Sequence, residues 1–134
     1  MTLRNDTIQA GLVERLKSIA AITSLVTSDE IREDQWSGTE FQYPNIRVDL
    51  LNSLPSIEGC NYAEIDFFVR TYTEDASSLE CDRIAGTVFQ SVPRSFTSNG
   101  ILFTGVRVVN LGGARRLSVR EWQSNVHYRG FACG

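Results

Sequence analysis

His127 is the only histidine of the chain, and Glu64 and Asp66 lie two residues apart in an alternating stretch. These are the residues that could do acid–base chemistry. Two carboxylates on one strand face can couple their titrations or hold a cation. A histidine within hydrogen-bond reach of a substrate can act as a general base. Serine, threonine and cysteine nucleophiles need an oriented base, and His127 is the sole histidine candidate for that role. The surroundings favour a plainer reading. His127 alternates with the polar side chains of Gln123, Asn125 and Arg129, as a surface or interface strand residue does. Glu64 and Asp66 read alike, as a solvated sheet face or a polar subunit contact. Gly112-Gly113 is followed by no Gly-Lys-Ser or Gly-Lys-Thr and opens no predicted helix, so it is not read as a phosphate loop. No catalytic residue, cofactor or metal is expected.

The cysteines point the same way. Cys60, Cys81 and Cys133 are an odd number, with none of the close pairing that metal sites use. They read as reduced, unpaired thiols. The 134 residues suit one domain, with 42% hydrophobic and 22% charged residues, and such a length needs no staple to fold. A formal charge of −3 argues against a dedicated nucleic-acid surface, which wants a basic face. No apolar run approaches the roughly 18 residues of a membrane span, and the N-terminus lacks a secretion pattern. Use in a cytoplasm, with no membrane partner, is the expectation.

The elements are organised around the stretch 61–72, NYAEIDFFVRTY. Ile65, Phe67, Val69 and Thr71 alternate with Glu64, Asp66, Phe68 and Arg70, a half-buried strand. Upstream, Ile8, Leu12, Leu16 and Ile19 recur at helical spacing, and the spacing predicts a helix over 2–21. Gly11 weakens that helix unless another backbone approaches it closely. The stretch 27–43 reads as a long irregular loop, with Asp29, Glu30, Glu33 and Asp34 as an acidic cluster and Ser37-Gly38 as a turn. Trp36 and Phe41 within it are either tucked on the core or partner anchors. Tyr43-Pro44 sets the chain extended, and 45–51 reads as a strand, followed by a loop over 52–59.

Downstream, Ser77-x-x-Glu80 is a capping-box pattern for a helix whose stripe is Cys81, Ile84, Ala85 and Val88, closed by Pro93. Ser98-Asn99-Gly100 marks a turn before a strand over 101–110. Arg115 and Arg116 are the densest positive charge. A last strand is expected over 117–131, with Trp122, Val126 and Tyr128 on one face and His127 on the other. The predicted fold is α+β, a single domain over 1–134: a four-stranded, mostly antiparallel sheet with two helices on one face.

The order of segments resembles the tail-terminator and tail-completion proteins of long-tailed bacteriophages, of the lambda minor tail protein U type. The matching features are the N-terminal helix ending in Ile22-Thr23-Ser24-Leu25-Val26, then Phe41-Gln42-Tyr43-Pro44 and the strand NIRVDLL. After them come IDFFVRTYTED, the helix LECDRIAGTVFQSV and the closing VREWQSNVHYRGFA. The resemblance implies a non-enzymatic virion protein of the tail or neck, assembled in the host cytoplasm. It implies a hexameric ring that caps the tail tube, meets a neck or head-completion protein, and encloses a channel for DNA. It supplies no catalytic residue. Trp36, Phe41, Arg115 and Arg116 are the expected interaction residues. Two other readings stay open: a different neck or head-completion protein, and a small-molecule-binding or enzymatic α+β domain using Glu64, Asp66 and His127.

Overall fold

Two long strands form the spine. They are Tyr62–Glu74 (β3) and Glu121–Cys133 (β7), numbered in chain order with the elements below. They pair antiparallel over their whole 13-residue lengths without a register shift. The computed structural model describes residues 3–36, 38, 40–55 and 62–134, with 52–55 described by backbone alone. The other elements are the helices Asn5–Lys17 (α1), Ala20–Thr23 (α2) and Leu79–Ser91 (α3). The further strands are Ile31–Glu33 (β1), Asn45–Pro55 (β2), Phe96–Ser98 (β4), Ile101–Leu111 (β5) and Arg115–Arg116 (β6).

The strands make one sheet in the order β1-β2-β3-β7-β5-β4, with β6 also paired to β7. This corrects the expected four-stranded sheet with two helices. The sheet among the described residues is seven-stranded, curled and mixed, because β1 runs parallel to β2. Part of 27–43, read as a loop, folds as a 3-10 turn over Ser28–Glu30 and then β1. The predicted helix over 2–21 divides into α1 and α2. Ser18 closes α1 with its hydroxyl donating to the Arg15 carbonyl at 2.6 Å, and Ile19 is extended. The loop expected from 52 starts later, since β2 runs to Pro55. The last strand starts at Glu121 and not at Leu117. The expected turn at Ser37 and readings involving Cys60, Asn61 and residues 56–59 lie outside the described residues.

Bulges explain the curl. β2 slips register between Leu50 and Asn52, and β5 slips twice, at Thr104–Arg107 and Val108–Asn110. A bulge bends its strand and raises the local twist. Gly105 has φ +60° within the first slip, where a Cβ would stand 3.1 Å from the Phe131 ring. The bent sheet wraps α1, which touches β1, β2 and β4, strands near both margins. β4 comes close enough for Ser98 Oγ to donate to the Gly11 carbonyl at 2.7 Å. A Cβ on Gly11 would lie 3.1 Å from the Phe103 ring, so the helical glycine serves close approach.

Period two and period 3.6 meet in the core. Ile65, Phe67 and Val69 of β3, Val126 and Tyr128 of β7, and Ile46 and Val48 of β2 all point inward. Against them pack Ile8, Leu12 and Leu16 of α1, with Cys81, Ile84, Ala85 and Val88 of α3. Phe67 stacks on Tyr128 with ring centroids 5.1 Å apart, and the Tyr128 hydroxyl donates to the Val88 carbonyl. That ring contact adds about 1 kcal/mol to the burial. Cys81 and Cys133 are free thiols. Burial pushes the Cys81 thiol up to about 11.

Candidate interaction surface

The outward face of β2, β3 and β7 carries no helix among the described residues. Its side chains cover one another instead. Register places Arg47 of β2 directly opposite Arg70 of β3, a pairing that like charges make unfavourable. Two arrangements relieve it. The Arg70 guanidinium donates to Asp49 Oδ2 at 2.9 Å and to Asn125 Oδ1 at 3.3 Å. The Arg47 guanidinium sits over the Tyr72 ring at 4.0 Å and the Phe41 ring at 4.3 Å. Phe68 packs between Arg70, 4.4 Å from its ring centre, and the His127 ring at 4.6 Å.

Two of the three residues nominated for acid–base chemistry do meet on this face. His127 Nε2 lies 3.0 Å from Asp66 Oδ1, and Arg129 Nε donates to the same oxygen at 3.0 Å. Partial burial raises the Asp66 carboxyl, and the hydrogen bonds from Arg129 and His127 outweigh it, so the pKa falls below the usual value. Glu64 stands apart, exposed, two residues along the strand. His127 also lines a cleft of about 380 Å³ with Phe68, Asn110, Arg115, Gln123 and Asn125. No carboxylate is among the cleft's lining residues that the structure describes. The carboxylate that holds the imidazole is already shared with a guanidinium. This is the chemistry of a cross-strand polar lattice.

The four expected interaction residues fall into two groups at opposite margins of the sheet. Trp36 and Phe41 flank one guanidinium, Arg32, at 5.2 and 4.8 Å. With Arg47 and Tyr72 they form a ladder of alternating rings and cations, each contact contributing about 1 kcal/mol or less. Trp36 is 42% exposed, whereas Phe41 is half-buried in the ladder. Tyr43 continues the segment by donating its hydroxyl to Glu121, and this bond pushes the phenol up to about 12. Arg115 and Arg116 sit beyond β7 and differ in role. Arg116 donates to the carbonyls of Ser118 and Val119 at 3.1 and 3.0 Å and holds the 117–120 turn. Arg115 is exposed at the mouth of the 380 Å³ cleft.

Sequence reasoning missed Arg32, Arg47 and Tyr72, which organise Trp36 and Phe41. The signal was present in part: alternation along β2 and β3 assigns Arg47, Asp49, Phe68, Arg70 and Tyr72 to one face. What alternation lacks is the pairing register that brings them together.

No family model matches this chain, and no curated protein sequence matches it. Its fold is similar to that of a chain in the virion of a native gene transfer agent particle. The TM-score is 0.71 over 95% of each chain, at 16% sequence identity. At that identity the likeness establishes a shared fold.

Proposed function

We propose that this chain is a structural protein of a phage-like virion, and that it acts as the tail terminator. The observation that carries the reading is the end-to-end fold similarity to a chain of a gene transfer agent virion, with 95% of both chains aligned. The order of segments supports the finer role, in which a ring, hexameric by resemblance, caps the tail tube. The ring then offers the surface that a neck or head-completion protein meets. A sheet whose margins and outer face are uncovered among the described residues suits repeated subunit contacts. A formal charge of −3 suits a channel through which DNA passes without sticking. The Asp66–His127–Arg129 cluster is read as part of the subunit surface and not as an active site.

Removing the gene tests this. A terminator that stops tube growth leaves, when absent, tubes of unregulated length with no heads attached. Electron micrographs showing tails of normal length joined to heads would contradict the reading.

A further inference from the structure

Two margins of the sheet carry opposite charge without ion-pair partners among the described residues, on either end of one cross-strand row. Register defines the row: Glu33 pairs Val48, Val48 pairs Val69, Val69 pairs Val126 and Val126 pairs Leu111. One row of residues therefore crosses the sheet from β1 to Leu111 at the end of β5, with Arg107 and Arg115 four residues to either side of that end. At the β1 end, Asp29, Glu33 and Asp34 have no ion-pair partner among the described residues, while Glu30 is taken by Arg32. Asp29, Glu30, Ile31, Arg32 and Glu33 line a cleft of about 510 Å³ with Val13 and Lys17 of α1 and Trp36. At the other end, Arg107, Arg115 and Arg120 are exposed and likewise lack an ion-pair partner.

The backbones at both margins are open as well. Among the described residues, β1 pairs only with β2. β4 covers β5 only at Ile101–Phe103, so Arg107–Leu111 have no strand on the side away from β7 among the described residues. Val109 and Leu111 on this open stretch are 45% and 43% exposed. An open strand edge with exposed apolar side chains is a template for pairing, which monomeric proteins usually blunt.

We propose that the acidic β1 margin of one copy receives the arginine-bearing β5–β6 margin of a second copy, so that the sheets abut head to tail. The proposal rests on the ring reading above and names its subunit contact. Charge complementarity selects the occupant: at the β1 margin Asp29, Glu33 and Asp34 outnumber Lys17 once Glu30 and Arg32 are paired, and the opposite margin of the same chain supplies arginines beside exposed apolar residues. The shared row matters for closure. A head-to-tail contact makes a ring only when it adds no step along the axis, and otherwise winds a filament. Two margins joined by one cross-strand row can meet with little such step.

Charge reversal tests it. One variant carries Asp29→Lys with Glu33→Lys, and another carries Arg107→Glu with Arg115→Glu. Circular dichroism melts should match wild type, since these side chains lie outside the core. Native mass measurement should show a ring for wild type that loosens as salt rises. Each variant alone should associate at least about tenfold more weakly. An equal mixture should recover a ring, because each reversed margin then meets its complement on the other variant. If the variants assemble as well as wild type, the contact is elsewhere and the proposal fails while the ring reading stands. If the mixture fails to recover, or association stops at a dimer, the head-to-tail contact is wrong. A wild-type chain that stays monomeric at every concentration overturns both this contact and the ring.

Discussion

Asp66 shows how much one side chain can be asked to hold. One of its oxygens accepts from both Arg129 and His127, across the β3–β7 pairing. Its pKa is lowered in the fold, so the stability it contributes is present above the unfolded carboxylate value, about 3.9, and is lost as pH falls through the folded value. Asp66→Asn should therefore cost on the order of 1 kcal/mol near neutral pH, with the difference from wild type vanishing in acid below the depressed pKa. Thermal melts across pH check this, and a constant difference down to the acid limit would assign the loss to packing. The arginine pair divides by contact. Arg116→Ala should loosen the 117–120 turn by about 1 kcal/mol, because it removes two bonds to backbone carbonyls. Arg115→Ala should leave the melt unchanged and weaken assembly. Trp36→Ala should likewise keep a folded subunit, since the ring is 42% exposed. Loss of fold in that variant would make Trp36 a core plug.

At the scale of elements, legibility followed length and periodicity. β3 and α3 were readable because each shows its period over many residues: alternating burial along β3, and Cys81, Ile84, Ala85 and Val88 along α3. β1, β4 and β6 were not, because strands of three, three and two residues are too short to show a period. They exist through their neighbours, β1 by lying parallel to β2 and β6 by extending the edge of β7 past the bend at Gly112. The Ser18 break in the first helix was hidden because Ile19 continues the apolar spacing across it. Residue type alone nominates interaction residues and says nothing of how they group. Trp36, Phe41, Arg115 and Arg116 could be named, but their division between two margins depends on strand order. The register of α3 is open to a direct check. Ile84 is 2% exposed between helix and sheet, so Ile84→Asp should unfold the subunit, at a cost above about 4 kcal/mol. Unchanged thermal stability would place that face of the helix in solvent.

The whole molecule is a curled sheet wrapped on α1, with its outer face built from interlocked charges and rings. That architecture, and the fold it shares with a chain of a gene transfer agent virion, are what the proposed ring at the end of a tail is argued from. The most direct measurement is to locate the protein in intact particles, by electron microscopy with a label on its C-terminus. The account predicts label confined to the junction of tail and head, in a number of copies that a single ring supplies. Label spread along the tail or over the capsid, or particles that lack the protein, would contradict it.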